Sequence, residues 1–320
     1  MDTSLRDDPV FAAEALDGLR SDPKWIDSKW LYDAEGSAIF EEITQLPEYY
    51  PTRTETRILR EEVHALQRVL APGTVLVELG SGASVKTRIL LDGADHLAAY
   101  VPVDISARFL EETAHGLRQH YPDLDISPVI ADFTGDIDLP PALDGAPKTV
   151  FFPGSTIGNL PHDTAAAMLG RIRRWNGIGA LILGIDLVKD TGTLVRAYDD
   201  SAGVTAAFNL NLLKRMNREI GADFDLSAFT HEARWNTAHS RIEMHLVSQD
   251  DQVVPVAGAD IHFSRGETIH TENSRKYTRD SLAAIARKGG WEIADFLTDP
   301  DRLFAVAILE PSGRSPGPGE

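Results

Sequence analysis

The stretch VLVELGSG, residues 75–82, decides the fold of this 320-residue chain. It is a short apolar run that ends in two glycines, and a helix-like segment, SVKTRILL, follows at residues 84–91. A strand, a glycine turn and a helix in this order open a nucleotide-binding α/β fold. The third glycine of the dinucleotide motif G-x-G-x-x-G is absent, because Val85 stands in its place. The loop therefore predicts a nucleotide-like cofactor and argues against NAD.

Strand-like and helix-like segments alternate after this loop. The strand-like segments are AAYVPVD (98–104), ISPVIADF (126–133), KTVFFPG (148–154) and GALILGID (179–186). The helix-like segments between them are SARFLEETAHGLRQHY (106–121) and DTAAAMLGRIRRW (163–175). Near the C-terminus, a helix at 281–290 and two strands at 291–297 and 303–310 complete the pattern. This alternation predicts a mainly parallel sheet that helices cover on both faces.

The alternation stops between residues 195 and 276, which we interpret as a second lobe. Within it, AFNLNLLKRMNREIG looks helical, and RIEMHLVSQD and QVVPVAGADIHFS look like antiparallel strands around a turn. We predict a nucleotide-binding domain at 55–194 and 277–311, a substrate-binding lobe at 1–54 and 195–276, and a disordered tail at 312–320. Upstream of the glycine loop, residues 52–70 have an amphipathic helical pattern that begins with capping-box spacing at Thr52 and Glu55.

The composition restricts the classes of function. The formal net charge is −18 and the sequence pI is about 4.9, which argues against binding nucleic acid or an anionic membrane surface. The chain has no cysteine, so disulfides, thiolate catalysis and cysteine-bound zinc are excluded. The ten histidines show no HExxH motif or tight cluster, and we expect no metal site. The acidic N-terminus and the lack of a long apolar run predict a cytoplasmic protein, which we expect to be a monomer.

Acidic residues end three of the predicted strands. Glu78 ends the first, Asp104 ends the second, and Asp132 with Phe133 ends the third. The carboxyl ends of parallel strands line one crevice in such a sheet. Asp104 can accept hydrogen bonds from ribose hydroxyls, and Asp132 with Phe133 can bind an adenine amino group and cover its ring. Each residue alone could be a turn or helix cap, but the three together favour a nucleoside site.

Longer motifs carry a resemblance to known enzymes. They are LPEYYPTRTE (46–55), VELGSG (77–82), KTRILL (86–91), GSTIGNL (154–160), GIDLVKD (184–190), LVRAYDDSAGVTAAFN (194–209), RIEMHL (241–246) and TENSRKY (271–277). The E-x-G-x-G loop resembles class I S-adenosylmethionine-dependent methyltransferases, and the full set resembles the histidine-specific Nα-methyltransferases of ergothioneine biosynthesis. The resemblance implies a seven-stranded Rossmann-like sheet with an α+β substrate lobe. It also implies three methyl transfers from S-adenosyl-L-methionine to L-histidine, which yield hercynine and S-adenosyl-L-homocysteine.

The resemblance implies roles for individual residues as well. The implied cofactor contacts are Tyr32, Gly80, Lys86, Asp104, Asp132 and Phe133. The implied substrate contacts are Tyr49, Gly154, Thr156, Asn159, Tyr198, Met244, Glu272 and Ser274, of which the last three line the imidazole end. Tyr49 and Asn159 are the candidate catalytic residues, since an amide can orient an amine lone pair and a phenol can help its proton leave through water. The main local departure from the family is Asn273.

Other interpretations remain open. A related N-methyltransferase could act on another, aromatic amino acid, although an apolar ring would leave the Glu272 carboxylate buried and unpaired. A catalytically silent S-adenosylmethionine-binding module would not need the intact loop at residues 154–160, and a dehydrogenase would need the missing third glycine. Tyr49 and Tyr198 could also be packing residues, and Met244 could fill the core.

Overall fold

The computed structural model describes residues 8–82, 85–94 and 96–313, without the side chains of Val85, Arg108 and Phe109. Ser84, where the first helix-like segment begins, and residues 314–320 of the predicted tail lie outside this range. In chain order the helices are α1 (Pro9–Arg20), α2 (Ala34–Gln45), α3 (Pro51–Glu61), α4 (Val63–Gln67), α5 (Val85–Gly93), α6 (Ala107–His120), α7 (His162–Arg173), α8 (Thr191–Tyr198), α9 (Val204–Glu219) and α10 (Arg279–Lys288).

In chain order the strands are β1 (Lys24–Trp25), β2 (Val75–Leu79), β3 (Ala99–Asp104), β4 (Asp125–Ile126), β5 (Val129–Ile130), β6 (Lys148–Phe152), β7 (Ile178–Asp186), β8 (Phe229–Asn236), β9 (Arg241–Ser248), β10 (Gln252–Val256), β11 (Ala259–Phe263), β12 (Thr268–Arg275), β13 (Trp291–Thr298) and β14 (Phe304–Pro311). Three of the strands, β1, β4 and β5, are only two residues long. Short 3-10 turns lie at Ser28–Leu31, Pro141–Leu143, Thr156–Asn159 and Leu226–Ala228.

The chain forms two compact units, each built from two segments. The first unit is Met1–Tyr50 with Lys189–Arg275, and the second is Pro51–Val188 with Lys276–Glu320. The sequence-based boundaries were 54/55, 194/195 and 276/277, so the first lies four residues later than the observed change at 50/51. The difference arises because α3 begins at Pro51, and proline at the first position of a helix starts it there.

An eight-stranded sheet forms the centre of the second unit. Its order is β13-β14-β7-β6-β2-β3-β4, and β5 pairs with β3 beside this path. Strands β2, β3, β6 and β7 are parallel, whereas β14 is antiparallel to both β7 and β13. The sheet has eight strands where the resemblance implied seven, because the predicted strand at 126–133 is split in two at Pro128, which cannot donate to a strand ladder. The predicted α/β fold with a mainly parallel sheet is confirmed.

The core of the second unit lies on both faces of this sheet. Every residue of β2 and β6 is buried, as expected for strands that are covered on both sides. Successive residues of β6 face opposite clusters, with Phe151 in one and Phe152 in the other. Among the residues that the structure describes, no helix is both long and apolar enough to cross a membrane.

The first unit contains a four-stranded sheet and a separate hairpin. The sheet order is β1-β12-β9-β8, in which β8, β9 and β12 are antiparallel neighbours and β1 is parallel to β12. Helix α9 packs on β8 and β9, and it confirms the helix predicted from AFNLNLLKRMNREIG. The expected pairing of RIEMHL with the following segment was wrong, because β10 pairs with β11 in its own hairpin.

Candidate active site

The glycine loop of the second unit turns sharply at the end of β2. Gly80 and Gly82 have φ angles of +65° and +47°, a region that glycine occupies without strain. The Gly82 N–H donates to Asp104 Oδ2 at 3.3 Å, and the Ser106 N–H donates to Asp104 Oδ1 at 2.9 Å. Asp104 therefore fastens the glycine loop to the end of β3, and its predicted role as an acceptor for the ribose hydroxyls stays a prediction.

Asp132 and Phe133 lie beside this loop. Asp132 Oδ1 accepts hydrogen bonds from the Thr134 N–H at 2.8 Å and the Thr134 hydroxyl at 2.7 Å, which forms a tight turn after β5. The Phe133 ring packs edge-on against Phe152, and a Cβ placed on Gly80 would lie 3.7 Å from Phe133. The structure thus brings an aromatic ring next to the glycine loop.

Glu78 holds the strand before this loop to the helix after it. The hydroxyls of Thr87 on α5 and Tyr100 on β3 both donate to Glu78 Oε2. Burial raises the pKa of Glu78 to about 7, although the two hydroxyl donors oppose this shift. Neutral donors compensate a buried negative charge less well than a cation does, so the Glu78 carboxyl takes up a proton near neutral pH.

Glu55 is a buried carboxylate that sequence reasoning assigned to a capping box. The structure contradicts that interpretation, because Thr52 already lies inside α3. Glu55 accepts the Gly154 N–H at 2.9 and 3.1 Å and forms an ion pair of 2.5 Å with Lys86. A Cβ on Gly184 would lie 1.9 Å from Glu55 Oε1, so only glycine leaves room for this carboxylate. Gly184 lies in the GIDLVKD motif, but the sequence could not show that this glycine makes room for Glu55.

The loop after β6 contains the predicted substrate residues of the second unit. Ser155 adopts a left-handed φ of 59°, and its Oγ accepts the Asp186 N–H at 2.9 Å. The Thr156 hydroxyl donates to the Pro153 carbonyl at 2.9 Å, and the half-buried Asn159 ends the 3-10 turn. Since Glu55 already binds the Gly154 N–H, the expected contact of Gly154 with a substrate falls to its carbonyl.

An aromatic cluster in the first unit contains three of the predicted site tyrosines. Neighbouring rings meet at angles between 47° and 79°, with centroids 5.4–6.2 Å apart. Its members are Tyr32, Phe40, Tyr49, Tyr198 and Phe208. The Tyr198 hydroxyl and Ser274 Oγ share a buried hydrogen bond of 2.7 Å. Sequence reasoning missed both phenylalanines, because an aromatic in a helix more often indicates general core packing.

Glu272 adds a buried carboxylate to this cluster. The Tyr32 hydroxyl donates to Glu272 Oε1 at 3.3 Å, and Met244 is the cross-strand neighbour of Glu272. Burial, followed by the nearby Glu272 carboxylate, raises the pKa of Tyr32 well above its usual value, so the phenol keeps its proton. The structure therefore groups Tyr32, an expected cofactor contact, with the expected substrate residues Glu272, Ser274, Tyr49 and Tyr198.

A bulge in β12 directs Glu272 to this side of the sheet. The register shifts between His270 and Glu272, which leaves Thr271 as the extra residue. Glu272 and Ser274 share one face, while Asn273 lies on the other face opposite Glu243. Asn273, the residue that departs from the family pattern, therefore lies on the face of the sheet opposite Glu272.

The outer face of the same sheet carries a cluster that the sequence spacing did not reveal. One ligand-type atom from each of Glu243, His245 and His270 lies within 4.8 Å of the others, so the expectation of no tight histidine cluster was wrong. Arg241 and Asn236 donate to Glu243 Oε1 at 2.7 and 2.8 Å, and His245 lies 3.4 Å from Oε2. Burial lowers the pKa of His245 to about 4. We interpret the cluster as a polar network that stabilises the sheet.

The side chains of the second unit fit S-adenosylmethionine. Gly82 faces open space, Asp104 and Asp132 can accept from hydroxyl and amino groups, and Phe133 offers a ring face. Lys86 offers an ammonium group for a carboxylate. The third glycine that NAD would favour is replaced by Val85 in this loop.

The fold and these side chains define a class I S-adenosylmethionine-dependent methyltransferase. A family model described as histidine-specific, S-adenosylmethionine-dependent methyltransferase matches residues 11–311. The chain belongs to this family of histidine-specific methyltransferases.

Three relatives illustrate the similarity. A histidine N-alpha-methyltransferase of Mycolicibacterium smegmatis is 44% identical over 309 residues, which cover 93% of this chain and 95% of that one. Its counterpart of the same description in Mycobacterium tuberculosis is 42% identical over 301 residues, covering 92% and 93%. Ergothioneine biosynthesis protein 1 of Neurospora crassa is 30% identical over 214 residues, which are 62% of this chain and 23% of that protein.

Proposed function

We propose that this protein transfers methyl groups from S-adenosylmethionine to the α-amine of L-histidine until the trimethylated product, hercynine, is formed. The family match and the names of the two mycobacterial relatives support histidine as the substrate. The name of the Neurospora relative supports a place in ergothioneine biosynthesis. A cytoplasmic monomer remains our expectation from the sequence.

The observation that carries the substrate proposal is the buried carboxylate of Glu272. An imidazole offers an N–H donor that a carboxylate can accept, and its second nitrogen can pair with a hydroxyl such as that of Ser274. Met244, opposite Glu272 on the neighbouring strand, would pack against the ring. An apolar aromatic ring would bury the Glu272 charge further without adding a donor to it, which is costly. Histidine is therefore favoured over an apolar aromatic substrate.

We assign the remaining substrate contacts to the acceptor loop and the tyrosines. The phenol of Tyr198 would donate to the substrate carboxylate, and Tyr49 would line the histidine pocket. The amide of Asn159, the Thr156 hydroxyl and the Gly154 carbonyl would orient the neutral amine, because these groups do not compete as nucleophiles. Alignment of this kind can supply roughly 7–11 kcal/mol in the best intramolecular reactions.

The cofactor role falls to the second unit. When bound, S-adenosylmethionine supplies an electrophilic methyl group on its sulfonium sulfur. Asp104 would accept from the ribose hydroxyls, Asp132 from the adenine amino group, and Phe133 would cover the adenine ring beside Gly80. Lys86 would bind the methionyl carboxylate. Tyr32, which we also expected near the methionyl group, remains a candidate for that role.

Incubation of the full chain with S-adenosylmethionine and single amino acids tests the proposal. Mass spectrometry should detect histidine carrying one, two and three methyl groups, and no product from phenylalanine, tyrosine or tryptophan. An Asn159→Ala variant serves as the control for enzyme-independent methylation. Methylation of another amino acid without any on histidine would overturn the substrate assignment, and cofactor binding without any product would indicate a silent module.

A further inference from the structure

Glu55 is fully buried in the second unit, yet none of the roles proposed above uses it. Its side chain is 0% exposed, and both of its oxygens accept the Gly154 N–H. Its Oε2 also pairs with Lys86, whose side chain is 16% exposed. One carboxylate therefore binds both Lys86 on α5, the helix after the glycine loop, and Gly154 in the loop after β6.

The residues around Glu55 compensate the charge of its carboxylate and leave space for it. A buried carboxylate is strongly unfavourable unless a cation and hydrogen-bond donors compensate it, and here both are present. The backbone also makes room for it, since a Cβ on Gly184 would lie 1.9 Å from Glu55 Oε1. Lys86 is close to Gly154 as well, because a Cβ on Gly154 would lie 3.5 Å from the Lys86 Nζ.

We propose that Glu55 is a positioning residue for methyl transfer, which fixes the Lys86 ammonium and the Pro153–Gly154 peptide in one arrangement. This role rests on the proposed function, in which Lys86 binds the methionyl carboxylate and Gly154 presents its carbonyl to the amine. Because the Gly154 N–H is bonded to Glu55, the plane of the Pro153–Gly154 peptide is held, and with it the position of the Gly154 Cα from which the carbonyl extends. Glu55 acts through these two residues and does not itself contact the reacting atoms.

Charge gives Glu55 a second effect on cofactor binding. Glu55 and Lys86 form a neutral pair, whereas S-adenosylmethionine carries a positive sulfonium. Without Glu55, a largely buried ammonium would be left without its compensating charge, and the repulsion between two cations is strong where water is scarce. Loss of the carboxylate should therefore weaken S-adenosylmethionine binding.

The first test is Glu55→Gln in the full chain. Glutamine keeps an oxygen for the Gly154 N–H but removes the charge that holds Lys86. Calorimetry without any amino acid should show the Kd for S-adenosylmethionine rising roughly tenfold or more. Steady-state kinetics should show kcat falling by a similar factor while the KM for histidine changes less. Glu61→Gln, an exposed position on the same helix α3, should leave all three constants unchanged.

Two further variants separate positioning from general stability. The double variant Glu55→Gln/Lys86→Met should bind S-adenosylmethionine no more weakly than Lys86→Met alone, because Glu55 acts through that ammonium. Gly184→Ala should reproduce the binding defect, since its added methyl would displace the carboxylate without changing any charge. This variant keeps the proposal testable if Glu55→Gln does not fold.

Several outcomes would overturn the positioning role. A Kd and kcat of Glu55→Gln within twofold of wild type would do so, and so would strictly additive losses in the double variant. Failure of the proposed function would give a different result. In that case the wild-type protein would methylate no histidine, while Glu55→Gln would still weaken the binding of S-adenosylmethionine.

Discussion

The buried carboxylates Glu55, Glu78 and Glu272 show how the partner of a residue decides its use. Glu55 is paired with an ammonium and a peptide N–H, so its charge is compensated. Glu78 has two neutral hydroxyl donors, and burial raises its pKa to about 7. Glu272 lies in an aromatic cluster beside a protonated phenol, Tyr32. The same side chain thus serves as an anchor, as a proton-binding group in the core, and as a candidate imidazole acceptor.

We expect Glu272→Ala to raise the KM for histidine while leaving the Kd for S-adenosylmethionine nearly unchanged. A hydrogen bond to a charged group contributes about 1.5–3 kcal/mol, so KM should rise roughly tenfold to a hundredfold. Asn273→Ala is the matched control, because its side chain lies on the opposite face of the same strand. Steady-state kinetics and calorimetry measure the two constants. An unchanged KM in Glu272→Ala would refute the imidazole role.

Strand β12 shows how one irregular element places a site. Strict alternation would put His270 and Glu272 on one face. The bulge at Thr271 places them on opposite faces, with His270 in the outer polar network and Glu272 beside the tyrosines. The Thr271 hydroxyl donates to Asn209 Oδ1 at 2.7 Å and lies 3.1 Å from the Met244 carbonyl, which ties the bulge to α9 and β9.

Thr271→Val should destabilise the protein by about 1–3 kcal/mol, because it leaves the buried Asn209 oxygen without this donor. Valine keeps the shape and the β-branching of threonine, so the change isolates the hydroxyl. Urea unfolding monitored by circular dichroism gives the free energy of unfolding. Thr230, on strand β8 of the same sheet, is exposed, and Thr230→Val should change this free energy by less than about 0.5 kcal/mol. Equal effects of the two substitutions would show that the bulge does not depend on this bond.

At the scale of the whole molecule, each unit is completed by a segment that returns from far along the chain. Lys276 is the first residue of the returning segment of the second unit. Its ammonium lies 2.8 Å from Asp186, and both side chains are 0% exposed. The next residue, Tyr277, donates its N–H to the Asp186 carbonyl at 2.8 Å. Asp186 also donates its own N–H to Ser155, so this junction and the loop after β6 share one residue.

Lys276→Met should lower the free energy of unfolding by about 3–5 kcal/mol, because Asp186 would lose its buried cation. Lys288→Met in the same unit provides the control, since its pairing with Asp163 is 3.7 Å long and exposed. Such surface pairs contribute about 0–1 kcal/mol. Urea titration of both variants compares the two losses. A loss for Lys276→Met no larger than that for Lys288→Met would contradict the closing role of the pair.

The sequence-based predictions were right where an element depends on neighbouring residues and wrong where it depends on contacts between residues far apart in the chain. The strand and glycine loop at 75–82, the helix α9 and the closing strands were predictable, since their signals lie within a few neighbouring residues. The capping box at Thr52 and Glu55 was predicted wrongly, because its spacing is local while the carboxylate binds Lys86 and Gly154. The histidine cluster was missed because His245 and His270 lie on different strands and stack across the sheet.

The α/β fold could be predicted from the sequence alone, because apolar periodicity and glycine turns are local patterns. The long motifs carried the resemblance to the histidine-specific methyltransferase family, to which the chain belongs. The partners of Glu55 and Thr271 become visible only in the tertiary structure. Glu55 is 99 residues from Gly154, and Thr271 is 62 residues from Asn209. Contacts over such separations depend on how the segments pack, and a single register shift in a strand changes the face on which a side chain lies.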